Sequence, residues 1–147
     1  MTMPGEAFIR PEQCRHQRVC YNKSINKLWE DQLLEDLELA HKIVDVLSEK
    51  QAADILLLDT HEVCSFADYF VIGTAESNRQ LKAIVDSVSE TLKQDGILPL
   101  HEEGTAESGW ILLDYGSLIV HIFDTFQRDY YQLDKFWEKA CVKVRVP

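Results

Sequence analysis

The chain lacks any apolar run long enough to cross a bilayer: Ile55–Leu58, among its longest, stops after four residues, where a spanning helix needs roughly 18. That excludes a helical membrane span. Residues 1–23, MTMPGEAFIRPEQCRHQRVCYNK, contain no apolar core between their scattered basic residues, so a secretory leader is not expected. Organellar import is the lesser alternative to a cytoplasmic location, because Glu6 and Glu12 interrupt the acid-poor pattern of transit peptides. Six glycines and four prolines in 147 residues are too few for a fibrous or low-complexity chain. The four cysteines, Cys14, Cys20, Cys64 and Cys141, form no C-x-x-C pair, which removes zinc ribbons and thiol-redox motifs. Cys14, His16 and Cys20 together lack the fourth ligand of a tetrahedral zinc site.

Positive charge is also short. Fifteen Lys and Arg stand against 25 Asp and Glu, for a net charge of −10. Five of those cations fall in residues 1–28 beside only two Glu, so the remaining body is strongly acidic. Binding to nucleic acid rests on Lys and Arg displacing counterions from phosphates, so little direct nucleic-acid contact is expected. A basic protein approaches such a surface more easily.

What is present is a core. At 46% apolar and 27% charged, a chain of this length fits one globular domain. Residues 1–28 show neither helical nor alternating periodicity and are expected to be a flexible basic extension, with the domain running over 29–147. From Trp29, the spacing of Leu33, Leu37, Ala40, Ile43, Val44 and Leu47 predicts an amphipathic helix. DILLLD over 54–59 and YFVIGTA over 69–75 predict two strands. Ser77 and Gln80 in capping-box spacing open a second helix, with Leu81, Ile84, Val85, Val88 and Leu92 on one stripe and Gly96 at its end. Residues 97–101 read as an edge strand because of Pro99, and residues 102–109 as a loop. A hairpin over 110–124 and a final helix over 126–143 complete the order αββαβββα. The fold expected is α/β, a mixed five-stranded sheet with packed helices.

Few residues point to catalysis. No D-x-D pair, no G-x-x-x-x-G-K-[ST] or G-x-G-x-x-G loop, no H-E-x-x-H and no G-x-S-x-G occurs. The Gly73–Ser77 turn between strand and helix could present backbone N–H groups to a phosphate, which keeps a nucleotide-binding transferase as the alternative reading. Asp54 and Asp59 end one strand on opposite faces and could not share one metal ion. His61 with Glu62, His101 with Glu102 and Glu103, and His121 with Asp124 lack metal-ligand spacing. No catalytic residue, metal or cofactor is therefore expected.

The hairpin GWILLDYGSLIVHIFD carries apolar residues on both faces. With Tyr115–Gly116 as its turn, Trp110 pairs with His121 and Leu112 with Ile119; inclusion of Ser117 in the loop slips the register by one. Trp110, Leu112, Asp114, Ile119, His121 and Phe123 then share one face. Its cover is either a helix of the same domain or a partner, for which Trp is a favoured anchor. A second copy of the chain is one such partner.

DILLLDTHEVCSFADYFVIGTAESNRQLKAIVDSV, the E-G…S-G-W run over 103–110, L-D-Y-G over 113–116, V-H-I-F over 120–123 and R-x-Y-Y-x-L-x-x-x-W over 128–137 occur in this order. Together they resemble the ribosomal silencing factor family, also called Iojap-like, over roughly two-thirds of the chain, from about residue 39 to 140. The resemblance implies a nucleotidyltransferase-like fold without the catalytic carboxylates and without established activity. It implies a partner, the large ribosomal subunit engaged through its universal protein fourteen. It further implies steric block of subunit joining and repression of translation under nutrient limitation. Mapped by motif, the partner-binding residues are Glu103, Trp110, Asp114, Tyr115, Arg128 and Tyr131. Ser117 stands where the family pattern carries Asp, and Asp134-Lys135-Phe136 where it carries Glu-x-Leu. Loss of one exposed ionic contact at 117 is worth about 0 to 1 kcal/mol.

Overall fold

The computed structural model describes the backbone of residues 23–147 and the side chains of residue 31 and of residue 35 onward. The extension expected over 1–28 lies outside the described residues as far as residue 22, as do Cys14, His16 and Cys20. The first helix, α1, spans Lys23–Glu49 and so begins before Trp29. It buries Ala40, Ile43, Val44 and Leu47. Strand β1 covers Ala53–Asp59 and β2 Tyr69–Ala75. Helix α2, Asn78–Gln94, buries Leu81, Ile84, Val85, Val88 and Leu92, each side chain contributing about 1.5 to 3 kcal/mol by leaving water. Its end is closed by bonds from Gly96 N to Lys93 O and from Ile97 N to Leu92 O, both 2.9 Å, which satisfy carbonyls the last turn would leave open.

Strands β3 (His101–Thr105), β4 (Trp110–Asp114) and β5 (Leu118–Asp124) follow, then α3 (Thr125–Tyr131), the single turn α4 (Leu133–Phe136) and β6 (Cys141–Val146). The sheet order is β3-β4-β5-β2-β1-β6, with β2 and β5 parallel and every other neighbouring pair antiparallel. The class is the expected mixed α/β sheet in one domain, but with six strands rather than five. Helices α1 and α2 cover one face, over Ile55, Leu57, Val71, Leu113, Val120 and Ile122. The other face, with Leu56, Leu58, Phe70, Ile72, Ile119 and Phe123, packs under Leu133, Trp137 and Ala140 and against Cys64 and Ala67 of the β1–β2 loop.

Three local expectations change. The final helix breaks at Gln132, whose φ of 47° and ψ of 51° lie in the left-handed region, and the last residues pair with β1 instead. C-V-K-V-R-V alternates with period two, and burial against the open edge of β1 outweighs continuation of the helix. The edge strand starts at His101 and takes in Glu102, Glu103 and Gly104, so Pro99 precedes it and its donors are free for β4. The hairpin turns at Gly116–Ser117, with Tyr115 N bonded to Leu118 O at 2.9 Å. Trp110 therefore pairs with Phe123, Leu112 with His121 and Asp114 with Ile119. That register is shifted by two, an even number, so every side chain stays on the face expected for it.

Candidate functional site

Among the described residues, neither helical layer nor loop fully covers the β3–β4 end of the second face. On β4, Ile111 and Leu113 are buried while Trp110, Leu112 and Asp114 are half-buried. Opposite them on the exposed edge strand β3 stand Thr105, Glu103 and His101, paired with Trp110, Leu112 and Asp114 respectively. Directly opposed residues share a face, so Glu103, Trp110 and Asp114 look out on the same side. Tyr131 reaches the group from α3, its ring centroid 4.7 Å from that of Trp110. A cleft of about 310 Å³ opens between them, lined by Glu103, Gly104, Ser108, Trp110, Gln127 and Tyr131.

Several local devices fix this geometry. Trp110 stacks on Phe123 with centroids 5.0 Å apart, and its Nε1 donates to Nδ1 of His121 at 3.2 Å. His121 is buried among the rings of Phe70, Trp110 and Phe123. Burial there pushes its pKa down to about 4, because the imidazolium would lose its hydration. The neutral ring keeps Nδ1 as an acceptor for the indole. Gly104 has φ +89°, and a Cβ there would stand 2.0 Å from the carbonyl oxygen of Trp110; only glycine lets β3 close onto β4 at this point. The turn before Trp110 is braced reciprocally, Thr105 N donating to Ser108 Oγ and Ser108 N to Thr105 Oγ1, both at 3.1 Å. Asp114 Oδ1 accepts from Gly116 N at 2.8 Å, which ties this carboxylate to the hairpin turn.

Of the six residues mapped by motif, Glu103, Trp110 and Tyr131 line one cleft and Asp114 shares their face. Tyr115 and Arg128 lie elsewhere. Tyr115 packs against the core on the helical side; burial raises its phenol above the ordinary value, the Ser89 hydroxyl pulling the other way and the Glu102 charge adding to the rise. Arg128 is 8% exposed. Its Nη1 donates to Thr74 Oγ1 at 2.9 Å, and its Nε and Nη2 grip both oxygens of Asp134 at 3.1 and 2.9 Å. It fastens α3 and α4 to β2. Ser108 and Gln127 belong to the cleft without having been singled out from the sequence. The signal for Gln127 was present, because it precedes Tyr131 by four residues on the same helix and so lies on the same side.

The Gly73–Ser77 turn is self-satisfied. Ser77 Oγ accepts from Gln80 N at 3.1 Å, Gln80 Oε1 accepts from Glu76 N at 2.7 Å, and Gln80 Nε2 donates to the carbonyls of Lys50 and Gln51 at 3.2 and 3.0 Å. Gly73, Thr74 and Ala75 are buried strand residues. Asp54 and Asp59 sit at opposite ends of β1, the first exposed and the second buried and bonded to His61 Nδ1. Among the described residues, no group of three or more His, Cys, Asp or Glu is placed to hold a metal ion, and no helix is long and apolar enough to cross a membrane.

A mixed sheet helix-covered on one face, with an aromatic and acidic cleft at the end of the other face that the described residues leave open, defines a small α/β domain. Residues 33–147 match the family described as "Ribosomal silencing factor during starvation", and the chain belongs to that family. It is 38% identical over 92 residues to the ribosomal silencing factor RsfS of Bacillus subtilis, covering 63% of this chain and 78% of that one. A mouse relative, "Mitochondrial assembly of ribosomal large subunit protein 1", is 30% identical over 100 residues, covering 65% of this chain and 43% of its own. A crystal structure of a protein from Chromobacterium violaceum superposes with a TM-score of 0.67 at 32% identity, covering 69% of this chain and 85% of the other. The family's naming points to a ribosome-associated regulatory factor rather than an enzyme.

Proposed function

We propose that this protein binds the large ribosomal subunit through a basic ribosomal protein, universal protein fourteen, and sterically prevents the small subunit from joining. Translation is thereby repressed under nutrient limitation, in the cytoplasm. The observation that carries the reading is the cleft itself. Trp110 and Tyr131 form an aromatic wall at its centre, with Glu103 on its rim and Asp114 on the same face, the anatomy of an anchor surrounded by charge that suits a basic protein. The family's name and that of the mouse relative support a ribosomal partner.

The test is co-sedimentation of the full chain with purified large subunits, followed by a subunit-joining assay. Trp110→Ala is expected to weaken binding by about 2 kcal/mol or more, the size of an interface hot spot, and circular dichroism checks that the variant folds. Glu103→Lys changes only an exposed edge position and is expected to weaken binding without touching the core. The proposal fails if the protein does not travel with large subunits, or if both variants bind as the parent does.

A further inference from the structure

The far side of α3 borders a second cleft, of about 340 Å³, within the size range of small-ligand sites. Helical spacing divides the two: Gln127 and Tyr131 look into the docking cleft, Arg128, Asp129 and Gln132 into this one. Its floor is the Arg128–Asp134 pair, closed on itself and tied to Thr74. Around that floor stand Asp54 from β1, Asp129 from α3, Lys135 from α4 and Arg145 from β6. None of these four has an ion-pair partner among the described residues; Arg145 acts on the already paired Asp134 through its field. Two side-chain carboxylates and two side-chain cations thus border one cleft, on four different elements and with no ion pair among them, and Pro147 completes its lining. Two non-glycine residues with left-handed backbone also line it, Asp54 at φ 48° and Gln132 at φ 47°, and strain of that kind concentrates where a local geometry is used.

The pattern of charge selects the ligand. A phosphate or other pure anion would meet Lys135 and Arg145 but also Asp54 and Asp129; a simple cation would meet the reverse. A small molecule carrying one ammonium and one carboxylate satisfies both sets, and Leu56 offers apolar surface beside them. We propose that this cleft binds a free α-amino acid, its carboxylate held by Arg145 and Lys135 and its ammonium by Asp54 and Asp129. The site lies outside the docking cleft and does not depend on the ribosomal reading.

Titration calorimetry of the full chain with each of the twenty amino acids tests this, with inorganic phosphate as the pure anion. At least one amino acid is expected to bind, and its N-acetyl form and its carboxamide, each lacking one charge, to bind at least tenfold more weakly. Arg145→Gln and Asp54→Asn should each weaken binding by a similar factor; asparagine tolerates the left-handed backbone at 54, and thermal melting confirms that both variants fold. The proposal is overturned if no amino acid binds, if the N-acetyl form binds as well as its parent, or if both variants bind unchanged. It is equally overturned if phosphate binds as tightly and only Arg145→Gln abolishes that, which would make the cleft a plain anion site.

Discussion

His121 ties the aromatic cleft to the pH of the medium. Its ring is enclosed by Phe70, Trp110 and Phe123, and its pKa of about 4 lies well below the ordinary 6.5. Between those two values the unfolded chain binds a proton that the folded chain refuses. Stability is therefore complete above pH 6.5 and declines as pH falls toward 4, by about 3 kcal/mol over the interval. Urea titrations from pH 4 to 7 on the parent and on His121→Phe isolate this contribution from the other histidines, and identical slopes in the two proteins would refute it. Gly109 is the second residue whose role is fixed by geometry. It sits at φ +80°, and a Cβ would stand 2.2 Å from Oδ2 of Asp124, the residue whose Oδ1 caps α3 by accepting from Gln127 N at 2.7 Å. Gly109→Ala must pay for left-handed backbone and displace the cap, about 1 kcal/mol each, so a loss of about 2 kcal/mol is expected in chemical denaturation. A change under 0.5 kcal/mol, the scatter of ordinary surface substitutions, would show that Asp124 moves aside freely. Both glycines of the E-G…S-G-W run were legible as a motif in the sequence; the atoms they must avoid were not, since these come from other strands and helices.

At the level of elements, α3 and α4 hold to the sheet through Arg128. Burial acts to raise the pKa of Asp134, but the hydrogen bonds and charge of Arg128, with the charge of Arg145, outweigh it and leave the carboxyl below its ordinary value. The pair therefore stabilises the fold above the unfolded pKa of Asp134, and that contribution is lost as pH falls through the folded value. Asp134→Asn leaves a guanidinium that is 8% exposed facing a neutral group. Asp134 itself is 34% exposed, so solvent screens the pair and a loss of about 2 kcal/mol is expected, below the roughly 3 to 5 kcal/mol for breaking a fully buried pair. The break should show as faster proteolysis around Gln132, and protection equal to the parent would mean that Leu133 and Trp137 alone hold the segment. Arg128 also shows where a motif misleads: R-x-Y-Y places an arginine beside two exposed tyrosines, and only the tertiary fold turns it inward to Thr74. The helices α1 and α2 were legible from their helical period, and the strands β1, β2, β4 and β5 from short apolar runs, β-branched and aromatic residues included, bounded by turn or polar residues. The break at Gln132, the strand β6 and the start of β3 were not, because each is decided by an open sheet edge offered by a distant strand.

The whole molecule adds the charge that no single residue carries. A net charge of −10 extends its field beyond the aromatic cleft, yet the contacts inside the cleft are aromatic and half-buried. Long-range charge and short-range packing act on different steps of binding: the first steers encounter and is screened by salt, the second holds the complex once formed. The Debye length shrinks from about 10 Å at 0.1 M salt to about 3 Å at 1 M. Raising potassium chloride should therefore slow association with the immobilised basic protein proposed as partner several-fold while leaving dissociation nearly unchanged. Glu103→Lys should lower the association rate and flatten its salt dependence, whereas Tyr131→Ala, which removes an aromatic wall without altering charge, should speed dissociation and leave the salt slope as it was. Surface plasmon resonance separates the two rates. If salt acts chiefly on dissociation, or if Tyr131→Ala changes the salt slope as much as Glu103→Lys does, the division of labour between the acidic body and the aromatic cleft is wrong. Attraction would then have to arise from contacts made within the bound complex.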